Sequence, residues 1–301
     1  MLEGILRFFE NAGLAFYNIG YAATHPQLWL DWSDSQAIMR FIYYGGSTEF
    51  FYAVFVVFLC LTAIGIRSKA FMWGCVRTLE GFANATGRFF AWAGLLMVFQ
   101  QIVIVFVQRI FAQPDIGIGF GAVLRFDISW WAEELKLYNA MIVALCCAYT
   151  FVQGGHVRVD LLYSAVSHRR KRLVDMFGSL FFMMPAALLT WMYAWFFMWR
   201  HLVTPKVSAS DSLEQVLQKA RALRWNVETI GFSPNGFNAY FLFKVLMVAF
   251  TAMVFIQAVA FFYRSFLEYV EGEEAAGKFL DKDTLDSGQV ELAGPQKLAR
   301  R

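Results

Sequence analysis

Residues 47–66 read STEFFYAVFVVFLCLTAIGI, a run whose single charged side chain, Glu49, stands near its start. A helix needs about 20 mainly apolar residues, at a rise of about 1.5 Å each, to cross the hydrocarbon of a bilayer. This run meets that requirement, and four others do so further along: 89–111, 135–152, 174–199 and 237–266. The last is long enough to tilt or to continue past the membrane. None alternates apolar and polar residues in the short segments of a membrane barrel. The reading is an all-α integral membrane protein with five transmembrane helices.

Composition supports the same class. Of 301 residues, 58% are hydrophobic, 18% aromatic and 16% charged, against about 25% charged in soluble domains. Mean hydropathy is +0.48. A soluble fold of this size could not hide so much apolar surface, so a soluble enzyme, a secreted disulfide scaffold and a disordered regulator are all disfavoured. The net charge of +3 is too small to suggest nucleic acid as a partner. Cys60, Cys75, Cys146 and Cys147 form no CxxC or Cys/His cluster, so neither a disulfide framework nor a zinc site is expected. The start, MLEGILRFFE, carries Glu3 and Glu10 and makes a poor signal peptide; it is read as uncleaved.

Basic residues orient the spans. Connection 67–88 holds Arg67, Lys69, Arg77 and Arg88 against Glu80, and 153–173 holds Arg158, Arg169, Arg170, Lys171 and Arg172. Segment 113–134 has Arg125 against Asp115, Asp127, Glu133 and Glu134. The first two and the C-terminal tail are thus expected in the cytoplasm, with the N-terminus, 113–134 and 201–236 outside. The four bases of 201–236 (Lys206, Lys219, Arg221, Arg224) weigh against that placement. Residues 2–30 mix Leu, Phe and Tyr with Arg7, Glu10, Asn11, Asn18 and His25, which suits an interfacial amphipathic helix better than a sixth span. Residues 127–138 (DISWWAEELKLY) predict a short helix along the outer surface leading into the third span. Ser212 and Gln215 form a capping-box pattern. Leu213, Val216, Leu217, Ala220 and Leu223 then share one helical face, suited to the membrane surface or a partner. The division that follows is 1–45, an interfacial segment; 46–86, an extra span and its cytoplasmic connection; 87–270, a four-span unit; and 271–301, a mobile tail.

Chemistry is sparse. His25, His156, His168 and His201 avoid the span centres, no phosphate-binding loop, nucleophile elbow or HExxH motif occurs, and the chain is not expected to be an enzyme or to hold a cofactor or metal. Polar residues inside spans are few: Glu49 at the outer start of the first, Gln100 and Gln101 at mid-membrane in the second, Asn139, Lys244, which would snorkel outward, and Gln257. Carboxylates in series, as an ion path needs, are missing. The remaining constellation, Gly154-Gly155-His156-Val157-Arg158-Val159-Asp160, ends the third span on glycines and precedes a basic cluster able to meet anionic lipid head groups.

The stretch SWWAEELKLYNAMIVALCCAYTFVQGGHVRVDLLYSAVSHRRKRLVDMFGSL resembles the small membrane subunit, DctQ type, of tripartite ATP-independent periplasmic (TRAP) transporters. The resemblance rests on Trp131, Glu133, Glu134, Leu135, Gly154, His156, Arg158 and Asp160, with Lys244 and Gln257 placed as in the family's last span, and extends over about 87–270. The first 86 residues depart from the usual four spans and add an N-terminal one. The resemblance implies a small permease subunit in the bacterial inner membrane that braces a large elevator-type membrane subunit, in ion-driven uptake of organic acids delivered by a periplasmic solute-binding protein. It places the Na+ and solute sites in the large subunit. The usual subunit has both ends in the cytoplasm; the extra span, with the basic-residue pattern, puts this N-terminus in the periplasm and leaves the C-terminus in the cytoplasm. The competing reading is a membrane anchor of an electron-transfer complex, which would want axial histidines within spans.

Overall fold

Five long helices cross back and forth between two ends of the molecule. The computed structural model describes residues 2–118, 124–154, 166–226 and 241–281. Helices α1 (Leu2–Thr24), α2 (Gln27–Leu30) and α3 (Ser35–Tyr44) come first. Among the described residues, five helices long and apolar enough to span follow: α4 (Thr48–Arg67), α5 (Lys69–Ile110), α6 (Trp131–Gln153), α7 (His168–Leu202) and α9 (Phe241–Glu271). Between α7 and α9 lies the short α8 (Leu213–Lys219). The spans run between an upper end, where α4 begins, and a lower end, where it finishes.

Several helix starts have a local cause. Asp34 accepts from the N–H groups of Gln36 and Ala37 to open α3, and Ser47 accepts from that of Phe50 to open α4. Ser68 both ends α4 and caps α5, so the corner between them is one residue. The basic connection read at 67–88 is therefore helix. It lacks proline, and its Glu80 and Asn84, one turn apart, are buried against other elements. With 42 residues, α5 runs roughly 60 Å, about twice the hydrocarbon thickness, so its lower third has length to spare beyond a span. A π-helical turn, Ser179–Met183, stands just before Pro185 in α7 and accommodates the missing proline N–H without ending the helix.

Two small hairpins were not legible in the sequence. Strand β1 (Asp115–Ile118) pairs antiparallel with β2 (Leu124–Asp127). Strand β3 (Val203–Thr204) pairs with β4 (Arg224–Trp225), which closes the loop that carries α8. The short surface helix expected at 127–138 is instead the end of β2, a turn and the first turns of α6: Ser129 N–H closes on the Asp127 carboxylate at 2.7 Å, and the helix then runs unbroken from Trp131.

The packing is that of helices in lipid, where close approach of small residues replaces a hydrophobic drive. Ala83 on α5 meets Ala144 and Ala148 on α6, Gly87 lies against Tyr149, and Cys146 Sγ lies 3.3 Å from the Gly87 carbonyl oxygen. Helix α9 sits centrally, packed on α5, α6 and α7, and is the most enclosed span. Large apolar side chains such as Phe89, Trp92 and Tyr193 face outward.

The N-terminal segment is bound to the upper end of this bundle. The indole N–H groups of Trp191 and Trp195 on α7 donate to the carbonyls of Gly45 and Ile42 at 2.9 and 2.8 Å. A Cβ on Gly45 would overlap the Trp195 ring, so glycine is needed there for space. The capping box at Ser212 and Gln215 forms as read. The apolar face it starts does not wait for membrane or partner: Val216 and Ala220 are buried in a cluster with Met39 and Ile42 of α3. Replacing Ser212 by alanine is expected to cost about 0.5–2 kcal/mol locally, read as faster amide exchange over residues 213–219 with the spans unchanged.

Residues 272–281, read from sequence as the start of a mobile tail, fold back on the lower end. Ala275 is buried, Lys278 and Phe279 pack on Trp73, and Asp281 receives hydrogen bonds from Asn84, Arg88 and Gln153. The anchor is supplied by side chains far away in sequence, which a local reading of polarity cannot register. Arg88 first, and Asn84 with it, hold the Asp281 carboxyl below its ordinary range. Because its folded value is depressed, this contribution is present above about pH 4 and is lost as pH falls through the folded value. It is modest, since both partners are about half exposed. Limited proteolysis is expected to leave 272–281 protected at pH 6 and to cut it more readily below pH 4 or in Asp281→Asn.

Candidate functional site

Side chains with functional chemistry gather at the two ends of the bundle. At the upper end, Glu133 and Glu134 occupy the first turn of α6, where the helix dipole favours negative charge. Glu134 Oε2 accepts from Gln100 Nε2 at 2.8 Å, and its Oε1 accepts from the Tyr138 hydroxyl at 3.0 Å. Gln100 Nε2 also lies 3.4 Å from the Trp131 carbonyl oxygen, and Gln108 donates to the Ile128 carbonyl. Trp130 and Trp131 meet edge to face beside this group. Gln100 is thus level with the start of α6 and not at mid-membrane, because α5 starts so far below. Gln101, its neighbour, is exposed.

On α9 the two flagged residues face inward. Lys244 is 6% exposed, with its Nζ 5.6 Å from the centre of the Phe197 ring. It packs against α7 and does not snorkel outward. Gln257 is 3% exposed, and its Oε1 has no hydrogen-bond partner among the described residues. Gly154 ends α6 in the left-handed conformation, φ +78°, as the glycine reading requires. His156, Arg158 and Asp160 lie outside the described residues.

The lower end holds a constellation that sequence reasoning missed. Arg264 on α9 forks onto Glu80 of α5, with Nε–Oε1 2.7 Å and Nη2–Oε2 2.5 Å. Its Nη1 lies 3.6 Å from Glu268 Oε1 and donates to the Lys278 carbonyl at 2.9 Å. Glu268 pairs with Arg172 of α7, which also bonds Asp175. Five charges therefore alternate in sign across three helices. Glu80, Arg264 and Glu268 are 4%, 6% and 1% exposed. The i,i+4 spacing of Arg264 and Glu268 and the i,i+3 spacing of Arg172 and Asp175 could have been noticed in the sequence; Glu80 read as an ordinary loop acid.

Chemically, the arrangement is one of braces and surfaces. Among the described residues no three potential metal ligands come together. His25 stacks on Tyr21 in α1, while His168 starts α7 and His201 ends it.

A multi-span helical membrane protein whose charged groups serve to join helices is the class that fold and sites define. Residues 120–215 match the family described as "Tripartite ATP-independent periplasmic transporters, DctQ component". That segment, which holds α6, α7 and the start of α8, is similar to the DctQ component of these transporters. The match covers less than half of the chain and less than the 87–270 over which the resemblance was read; Lys244, Gln257 and the whole of α5 fall outside it. No curated protein matches the chain, and no solved structure matches it either.

Proposed function

We propose that the chain is the small permease subunit of a tripartite importer, a static brace for a large elevator-type membrane subunit that carries the solute and ion sites. The observation that carries this reading is the DctQ match over 120–215 placed within a five-span bundle. In this reading the bundle sits in the bacterial inner membrane with its upper end in the periplasm and residues 272–281 in the cytoplasm. An ion gradient, with Na+ as the expected ion, drives uptake of organic acids or related solutes. The periplasmic face comprises the α6 start, the β1–β2 hairpin and the α8 loop, and it flanks the docking place of the solute-binding protein. Part of the positive charge there is neutralised: Lys219 pairs with Asp211 at 2.6 Å, which eases the conflict with the orientation read from basic residues.

Two experiments test the reading. Capture of the chain from its native membrane should bring along a large multi-span permease and a periplasmic binding protein; capture of redox subunits instead would overturn it in favour of an electron-transfer anchor. Glu133→Ala with Glu134→Ala should lower solute uptake several-fold, since Glu134 loses two hydrogen bonds worth about 1 kcal/mol each and the periplasmic end of α6 loses its charge. Full uptake at normal complex yield would count against a role for that end in assembly or docking.

A further inference from the structure

A cavity of about 410 Å3 lies between the N-terminal segment and the bundle, within the range of roughly 300–1,000 Å3 typical of ligand sites. Ala22 and Ala23 of α1, Gly45 at the end of α3 and Ala53 of α4 leave the space, and the stacked indoles of Trp191 and Trp195 line its other side. The wall is apolar because both indole N–H groups are taken up by backbone carbonyls of the 42–45 segment. A second cavity of about 170 Å3 shares Phe50 and Trp191 with the first and continues toward Leu188 and Thr251. From Trp195 to Leu188 the lining descends seven residues of α7, roughly 10 Å along the helix. The two cavities follow one another down α7 and share the stacked rings of Phe50 and Trp191 as lining; taken together they make a slot whose length suits an elongated apolar molecule.

The rim has a different character. Glu49 lines the cavity and accepts from Asn18 Nδ2 at 3.2 Å and Thr48 Oγ1 at 3.3 Å. Among the described residues no cation stands within ion-pair distance of it. Tyr44, also on the lining, is pushed up by burial and then by Glu49, and so stays a neutral hydroxyl donor. A carboxylate lacking its counter-charge and a phenol donor complement an ammonium and a phosphate oxygen. Dry apolar cavities in proteins take up apolar molecules, and in a membrane the apolar molecule at hand is a lipid chain.

We propose that this slot is a binding site for one phospholipid with a primary-ammonium head group, its acyl chain between α4 and α7 and its head at Glu49. The lipid fills the seam between the N-terminal segment and α7 and so fastens the one to the other. This assignment is independent of the transport reading.

The test uses the full chain, purified in detergent with whatever membrane partners accompany it. The protein is exchanged against an equal mixture of phosphatidylethanolamine and phosphatidylglycerol with identical acyl chains, and retained lipid is counted by native mass spectrometry. One retained lipid is expected, with phosphatidylethanolamine favoured by about tenfold, the equivalent of one charge-assisted hydrogen bond. Ala53→Phe fills the slot and should abolish that retention. Ala22→Phe repeats the test from the α1 wall, and the elution volume of each variant monitors its fold. Glu49→Gln should keep a lipid but lose the preference. Equal retention of both lipids by the unaltered protein, undiminished retention in the filled variants, or co-purification of a different apolar molecule lost on filling would each overturn the assignment.

Discussion

Arg264→Met is expected to be among the most damaging single substitutions in this chain. It leaves Glu80 without its fork and Glu268 with Arg172 and the Gly277 N–H, both carboxylates being almost wholly buried. Breaking one side of a buried ion pair costs about 3–5 kcal/mol, which for a domain of this size lowers a thermal midpoint by on the order of 10 °C. The loss should appear as a lower melting temperature and yield of the detergent-purified protein, together with release of residues 272–281, because Arg264 also donates to the Lys278 carbonyl. The double substitution Arg264→Met with Glu80→Leu should recover much of the stability, since removing both charges leaves no buried carboxylate uncompensated at that contact. If the double variant is no more stable than Arg264→Met alone, the pair is not what the single substitution breaks.

The second large effect is expected at Gly87. A Cβ there would overlap the Cβ of Tyr149 on α6. That atom is fixed to the backbone and cannot rotate away, so α5 and α6 must separate along their most extensive contact. Overpacking of a tight core costs about 1–3 kcal/mol, occasionally more, and Gly87→Val should lie at the upper end because its branch adds further atoms. Gly74 and Gly81 on the same helix have open space where a Cβ would go. Gly81→Ala should therefore be neutral or slightly stabilising, from reduced freedom of the unfolded chain. Comparing the thermal midpoints of Gly87→Val and Gly81→Ala separates a packing requirement from a general dislike of substitution in α5. Equal midpoints would rule out the packing argument.

Legibility differed from element to element for physical reasons. The five spans were readable because exclusion of charge from lipid acts on each run of residues by itself; 47–66 needs no knowledge of 237–266 to be recognised. The capping box was readable because Ser212 and Gln215 are three residues apart and bond each other's backbone. The same locality explains what was misjudged. Polar residues at 69–88 read as a loop because the partner that buries Glu80 is 184 residues away. The α8 face read as free for membrane or partner because its cover, α3, belongs to the N-terminal segment.

What the sequence by itself determined is the class of molecule, the number of spans, the α6 boundary at Gly154 and the family likeness of residues 120–215. These depend on hydropathy, local capping and motif spacing, all written along the chain. What only the tertiary structure decided is how the parts are joined. It set the alternating charges at the lower end, the pairing of Gln100 with Glu134, the burial of Lys244, and the seam that holds the N-terminal segment to α7. Each of these is a contact between helices, and its energy depends on which faces meet and how much water or lipid they exclude.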